Sequence, residues 1–280
     1  MYDTIVIGGG PAGLQAALTL GRMHRSVLLL DSGQYRNATV EHAHNYATHD
    51  GVAPAELRRL ARKDLAAYDT VEIREAAAER VEQDGDEFVV HLGGTTERSA
   101  TLVLATGVRD ALPDVPGLAG AWGKEIAHCP FCHGHEFAGG TVALDVEGPP
   151  LERLTAMLGR IATALVPVAG RVQRVERRDG GLDLTLDDGV IHVDGMFVAP
   201  TFSQSAPFAD QLGLELNESG CIKVTAFHAT SVPGVFAAGD AAHVPELPMP
   251  MSSIVTAQAA GMVAGAAAVQ HLLSRAVVGA

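Results

Sequence analysis

Two cysteines stand two residues apart in the run His128-Cys129-Pro130-Phe131-Cys132-His133-Gly134-His135-Glu136, and three histidines crowd them. A pair at this spacing can close a small disulfide ring or hold a metal. A cationic neighbour or a helix N-terminus lowers a thiol pKa until the thiolate attacks at neutral pH. His133, directly after the second cysteine, suits proton transfer, because an imidazole with an ordinary pKa of about 6.5 gives and takes a proton near pH 7. Cys129, Cys132 and His133 are therefore the candidate catalytic residues, with His128 and His135 read either as surface residues or as substrate contacts. Cys221, in Gly220-Cys221-Ile222-Lys223, is remote in sequence and is read as an incidental thiol. Two other chemistries match the same letters. Cys-x-x-Cys-His is also the pattern for c-type haem attachment, which normally takes place outside the cytoplasm. The chain opens on Met1-Tyr2-Asp3 and an apolar strand with no charged n-region or cleavage site, so a cytoplasmic location without haem is expected. Zinc lacks a distant second ligand pair, and histidines one and three residues on are cramped for a tetrahedral site, so no metal is expected.

The elements that must carry this pair begin with a dinucleotide fingerprint. A strand at 4–7 runs into Gly8-Gly9-Gly10-Pro11-Ala12-Gly13, then a helical run at 14–22 and a second strand at 27–30 ending in Asp31. Gly8 permits the tight turn, Gly10 lets backbone approach a pyrophosphate, and Gly13 lets helix pack on strand. The helix N-terminus attracts phosphate charge, and Pro11 suits its first turn. Asp31 stands eighteen residues after Gly13, where a carboxylate can accept hydrogen bonds from a ribose diol. Residues 71–105 read as short alternating strands with a turn at Asp84-Gly85, closing on Ala105-Thr106-Gly107. Residues 234–240 again deliver a Gly-Asp, Gly239-Asp240, from the end of an apolar strand.

The chain also repeats itself. Residues 80–106 align almost without gaps on residues 174–200, each a strand, a glycine turn, a strand and a final apolar strand. About seventy residues separate the opening strand from Arg80, but only about thirty separate a strand at 141–144 from Arg174. The second module is short by roughly forty residues. Where its phosphate loop belongs stands Asp145-Val146-Glu147-Gly148-Pro149-Pro150, with one glycine, two carboxylates and two prolines that remove N–H donors. No cluster of Arg or His follows the next strand to meet a 2′-phosphate.

Composition sets the outer bounds. The chain has 280 residues, 47% hydrophobic and 19% charged, which excludes disorder as its main state and suggests one large domain or two modest ones. A formal charge of −13 repels a phosphate backbone, so nucleic acid is not an expected partner. Residues 254–273 are long enough to span a bilayer but are mainly Ala and Gly with Gln258, Gln270 and His271 among them, so a packed core helix is expected and no membrane partner.

Taken together, the fingerprint, the Ala-Thr-Gly segment and the Gly-Asp segment resemble the FAD-binding domain of the two-dinucleotide-binding-domain flavoproteins. The placement of the Cys pair is similar to that in low-molecular-weight thioredoxin reductases. A nearer likeness is to the dithiol oxidase branch that closes disulfides in natural products such as gliotoxin and holomycin. That likeness rests on Cys129 to Gly134 with Glu136, and on Asp31-Ser32-Gly33-Gln34-Tyr35-Arg36-Asn37. It covers residue 1 to about 140 and about 195 to 275, and fails in between.

The resemblance implies an α/β fold: a Rossmann-like FAD domain with an inserted, truncated second nucleotide-binding module. The implied segments are 1–112 (FAD-binding, first part), 113–200 (redox motif with a degenerate NAD(P)H module) and 201–280 (FAD-binding, second part). FAD is the implied cofactor, with Gly8, Gly10, Pro11, Ala12, Gly13, Asp31, Ser32, Arg36, Asn37, Thr106, Gly107, Gly239, Asp240, Ser253 and Ile254 around it. Cys132 is implied to exchange electrons with the flavin, Cys129 to form the mixed disulfide with substrate, and His133 to handle thiol protons. The helix after Met249-Pro250-Met251-Ser252-Ser253 is implied to aim its positive end at the flavin pyrimidine ring. The implied partners are a small-molecule dithiol or disulfide or a thioredoxin-like protein, and a second copy of the chain as a homodimer. Thiol exchange is reversible, and the shortened module favours dithiol oxidation with dioxygen as acceptor. The alternatives are a disulfide reductase fed by NADPH or by a ferredoxin docking on Arg171, Arg174, Arg177 and Arg178, and a non-catalytic flavin-binding protein.

Overall fold

The strand Tyr2–Ile7 turns at Gly8 into the helix Pro11–Arg22, which returns the chain to Val27–Asp31, parallel to the first with Ile5 opposite Leu28 and Ile7 opposite Leu30. This βαβ opening is the nucleus of a seven-stranded sheet. Its strand order is Val71–Glu75, Val27–Asp31, Tyr2–Ile7, Thr95–Leu104, Glu87–Leu92, Arg80–Asp84, with Val235–Ala237 also pairing to Thr95–Leu104. The computed structural model describes residues 1–278; the last two positions of the segment 201–280 lie outside the described residues. The chain forms two compact units. The first comprises Met1–Arg36, Ala55–Arg109 and the chain from Ser203, and the second comprises Asn37–Pro54 and Asp110–Phe202.

In the first unit both faces of the sheet are covered, so its central strands are near-continuous apolar runs. One face buries Ile5, Ile7, Leu28, Leu30, Leu102 and Leu104 against Phe88, Phe208 and Ile222. The other buries Val6, Leu29, Val103 and Phe236 beneath Ala12, Ala16, Ala17 and Leu20 of the first helix and Ala257, Ala264 and Ala268 of the helix Ile254–Val278. The Ala and Gly content of that long helix has a packing cause. A Cβ on Gly261 would come closer than 3.0 Å to the Ala12 carbonyl oxygen, and one on Gly265 would crowd that of Ala16. Among the described residues no helix is long and apolar enough to cross a membrane.

The second unit has a parallel sheet in the order Ala164–Pro167, Thr141–Asp145, Gly195–Val198, Ile126–Ala127, and an antiparallel meander of Arg174–Arg178, Gly181–Leu186 and Gly189–Val193. The helix Gly148–Leu158 covers one face through Leu154 and Leu158, which join Val142, Leu144, Phe137 and Phe197. Leu118, Ala121 and the meander cover the other.

The pairing shows where the second module is short. Its first crossover, from Thr141–Asp145 to Ala164–Pro167, matches the first unit's in form. Between the second strand and the meander, however, the first unit has the helix Pro54–Leu65 and the outer strand Val71–Glu75, whereas the second unit passes from Pro167 to Arg174 directly. The outer helix and strand are what is missing. Val27–Asp31 is consequently buried throughout, while Ala164–Pro167 is an edge strand, exposed at both ends and finished by a proline, as edge strands tolerate.

Candidate functional site

The glycines of the first unit separate what the fold needs from what a ligand needs. Gly8 sits at φ +120°, and a Cβ there would overlap the Ala105 carbonyl; a Cβ on Gly13 would overlap the Gly8 carbonyl. Both are therefore required by the contact of strand, helix and the Ala105–Thr106 segment. Gly10 differs: its φ is −79°, which any residue adopts, and a Cβ there meets nothing within 4 Å. Open space at the N-terminus of a twelve-residue helix, beside backbone that carries no side chain, fits a dinucleotide pyrophosphate. Pro11 opens this helix, and buried Ala12 lies under Gly239, whose φ is +73°. Gly107 turns the chain after Thr106 at φ +68°.

Arg36 gathers the other side of this cradle. Its Nη1 donates to Asp240 Oδ2 at 2.7 Å and to Ser252 Oγ at 3.0 Å. Ser253 caps the long helix, its Oγ accepting the Thr256 N–H at 3.0 Å, and Ile254 begins the helix. Ser32 is exposed, with its Oγ near the Gln34 N–H, and Asn37 is the first residue of the second unit rather than part of the first. Cys221 is fully buried in the first unit, where its thiol donates to the Asp240 carbonyl and burial pushes its pKa up.

Asp31 ends the second strand 2% exposed, and a Cβ on Gly9 would fall on its carboxylate. Burial pushes this carboxyl upward, but the Tyr35 hydroxyl, the Gly33 N–H and the Arg62 guanidinium outweigh it and hold the group below the usual carboxylate range. Arg58 stacks over the Tyr35 ring at 3.7 Å. Arg62, Tyr35 and Arg58 were not singled out from sequence. The available signal was an arginine pair on one helix following an Asp-Ser-Gly turn. A carboxyl with a depressed folded pKa stabilises the fold above its unfolded pKa and loses that contribution as pH falls through the folded value. Asp31→Asn is expected to cost about 2 kcal/mol at pH 7. Urea midpoints should show the gap closing at pH 3, and a gap of equal size there would assign the loss to packing instead of charge.

In the second unit Cys129 and Cys132 form a disulfide, with Cα atoms 5.3 Å apart. Cys129 is the N-cap of the single turn Pro130–His133, and its carbonyl accepts both the Cys132 and His133 N–H groups at 3.1 Å. Pro130 supplies a pre-set φ where no N–H is needed. Phe131 stands 71% exposed between the sulfurs in sequence. His133 is half-buried, and its pKa lies below the ordinary imidazole value because burial penalises the charged ring. A hydrogen bond with the Gly123 backbone and the nearby Glu136 carboxylate push it back up, and His44 pushes it down. His128 stacks on Trp122 with ring centroids 5.5 Å apart, and His135 is exposed. The structure thus brings Cys129, Cys132 and His133 together on one turn. It adds His44, Asp50 and Gly123, which the sequence reading did not use, although three histidines between 42 and 49 were a visible signal.

The loop between the strand Thr141–Asp145 and the helix Gly148–Leu158 is poor in donors. Glu147 is exposed ahead of the helix, Pro149 and Pro150 lie in its first turn, and Asp145 Oδ1 accepts the Gly170 N–H at 3.0 Å. Among the described residues no group of three or more His, Cys, Asp or Glu side chains could hold a metal ion.

The family pattern described as pyridine nucleotide-disulphide oxidoreductase matches residues 2–138 and 166–264, leaving out the strand, loop and helix between 139 and 165. The thioredoxin reductase sirT of Leptosphaeria maculans is 34% identical over 310 aligned positions, covering 95% of this chain and 92% of that protein. The thioredoxin reductase tcpT of Claviceps purpurea is also 34% identical, covering 98% and 95%. Among solved structures, an oxidoreductase from Agrobacterium tumefaciens superposes with a TM-score of 0.88 at 31% identity, covering 97% of this chain and 98% of that one. HlmI does so at 0.87 and 30%, covering 99% and 94%. With its Rossmann-like two-unit fold and its redox disulfide, the chain belongs to the pyridine nucleotide-disulphide oxidoreductase family, as a thioredoxin reductase-like member.

Proposed function

We propose that this protein is an FAD-dependent thiol–disulfide oxidoreductase that oxidises a small-molecule dithiol through Cys129 and Cys132 without taking hydride from NAD(P)H. The observation that carries this reading is the asymmetry of the two modules: the first keeps an open Gly10 cradle and a complete crossover, and the second has lost its outer helix and strand and its phosphate donors. The residues that would hold FAD are Gly8, Gly10, Pro11, Ala12 and Gly13 around the open helix N-terminus, with Asp31, Ser32, Arg36, Asn37, Thr106, Gly107, Gly239, Asp240, Ser253 and Ile254. When bound, FAD would supply a two-electron acceptor for the reduced cysteine pair, with dioxygen as the proposed final acceptor.

The chain's own residues do the thiol chemistry. His133, kept neutral by burial, takes the proton of the first substrate thiol. The resulting thiolate attacks Cys129 Sγ, the Cys129–Cys132 bond breaks, and Cys132 leaves as thiolate. The second substrate thiol loses its proton to solvent and attacks the substrate sulfur of the mixed disulfide, forming the substrate disulfide and releasing Cys129 as a thiolate. The substrate loses two electrons and two protons, and the cysteine pair gains the electrons.

A protein electron donor of acidic surface has little to dock on at the arginine hairpin. Arg171 pairs with Asp188, Arg174 with Glu176, Arg177 with Glu125 and Arg178 with Glu176 and Asp183. The test of the main reading is an anaerobic titration of the yellow holoenzyme, followed by the flavin's visible absorbance. Dithiothreitol is expected to bleach it, and NADPH or NADH at about hundredfold excess to leave it yellow. Rapid bleaching by NADPH would restore an ordinary nucleotide-dependent disulfide reductase.

A further inference from the structure

Asp240 sits in the middle of the three-residue turn Gly239–Ala241, which closes with the Ala242 N–H on the Gly239 carbonyl. Its carboxylate accepts Arg36 Nη1 at 2.7 Å, and side chains from earlier in the chain hold the backbone around it. The Cys221 thiol donates to the Asp240 carbonyl at 3.5 Å, and Gln204 Nε2 donates to the Ala241 carbonyl at 2.9 Å. Gln204 ends the strand Thr201–Gln204, and the same Nε2 also donates to the Gly220 carbonyl at 3.1 Å. Between two carbonyl oxygens only the nitrogen of the amide can stand. Gly220 belongs to a turn that is fixed in its own right: the Asn217 N–H donates to the Cys221 carbonyl at 2.8 Å and the Gly220 N–H to the Asn217 carbonyl at 2.9 Å. This turn also grips the chain beyond Asp240. Asn217 Nδ2 donates to the His243 carbonyl at 2.9 Å, and Ser219 Oγ lies 2.7 Å from Nε2 of the buried His243. Next to Gln204, the Ser205 N–H donates to the Gly107 carbonyl at 3.2 Å. All of these residues lie in the first unit.

We infer that Gln204 is a positioning residue of the cofactor site: its amide bridges the Asn217–Cys221 turn to the Ala241 carbonyl and so sets where the Asp240 carboxylate stands. This rests on the reading that Gly239 and Asp240 face FAD. Gly239–Ala241 is a single 3-10 turn, whose internal bonding is poor, so donors from outside it decide its place. A group that holds a ligand must keep its position to within about 0.5 Å. Removing the Gln204 N–H donors takes this bridge from the Ala241 and Gly220 carbonyls, while the donors Cys221 and Arg36 remain. The loss should reach FAD through Asp240, and little of it should be left once the Asp240 carboxylate is gone.

The test measures FAD release on dilution of the full-length holoenzyme, read by the fluorescence of free flavin, for wild type, Gln204→Met, Asp240→Ala and the double variant. Gln204→Met keeps the length of the side chain without a donor and is expected to raise the FAD dissociation constant about tenfold, and Asp240→Ala about thirtyfold. In the Asp240→Ala background Gln204→Met should add no more than about twofold. Gln204→Glu, whose carboxyl donates only when protonated, should release FAD at least as readily as Gln204→Met at pH 8 and less readily at pH 5, each as a ratio to wild type at the same pH. The same loss from Gln204→Met with and without the Asp240 carboxylate, or a Gln204→Glu ratio that does not change with pH, would overturn the inference. Wild-type affinity in Asp240→Ala would overturn the placement of Asp240 at FAD, on which the inference rests. Loosened FAD in Asp240→Ala beside wild-type affinity in Gln204→Met would overturn the inference alone.

Discussion

Cys132→Ser is expected to lower dithiol-dependent oxygen consumption about a thousandfold or more while leaving the protein yellow, because residues that act as one unit fail together when one is removed. The reason lies in the exchange chemistry. With Cys132 gone there is no disulfide for a substrate thiolate to attack, and Cys129 stays a thiol that cannot take electrons from a dithiol. The other thiol offers no substitute: Cys221 is fully buried and donates to a backbone carbonyl. Cys132 belongs to the second unit, whereas the dinucleotide cradle is built from the first, so flavin content is expected to be unchanged. An oxygen electrode and a visible spectrum on the same sample decide the matter. Undiminished oxidation by Cys132→Ser would reduce the protein to a flavin carrier whose thiols do not turn over.

The second large effect is a contrast between two alanine substitutions three residues apart. Gly10→Ala should leave the melting temperature of the apoprotein almost unchanged, since its backbone is ordinary and its Cβ meets nothing within 4 Å. With FAD present the same methyl stands in the path of the pyrophosphate, and affinity is expected to fall by about 2 kcal/mol, some thirtyfold. Gly13→Ala drives a Cβ into the Gly8 carbonyl and forces helix from strand, which costs about 1–3 kcal/mol even in the apoprotein. Thermal melts of both apoproteins and fluorescence titrations with FAD separate the cases. Wild-type FAD affinity in Gly10→Ala would mean that the phosphates run elsewhere.

What the sequence made legible was local or periodic. Gly8 and Gly13 can be read because each answers to a steric demand of the fold at fixed spacing, and the Cys129–Cys132 pair because its chemistry needs no distant partner. The repeat of 80–106 in 174–200 revealed that the second module is short, since both copies keep the same strand pattern. Only strand pairing showed what had been lost: the counterparts of Pro54–Leu65 and Val71–Glu75. The grip of Tyr35 and Arg62 on Asp31, and of Thr39, Glu41 and His44 on the redox unit, was hidden for another reason. These are single polar contacts between residues up to about ninety positions apart, and such contacts leave no periodic trace in a sequence.

The close seat of Gly261 and Gly265 on the first helix also bears on how the chain is made. The first unit is assembled from three stretches, and its last piece is the helix Ile254–Val278, which emerges after residues 1–253 have been synthesised. Until then the part of the core that Ala12, Ala16, Val103 and Phe236 share with Ala257, Ala264 and Ala268 lacks that helix. The second unit, by contrast, is complete once Phe202 has left the ribosome tunnel. The order of birth therefore favours a nascent chain in which the thiol-bearing unit matures first and the cofactor-binding unit closes last.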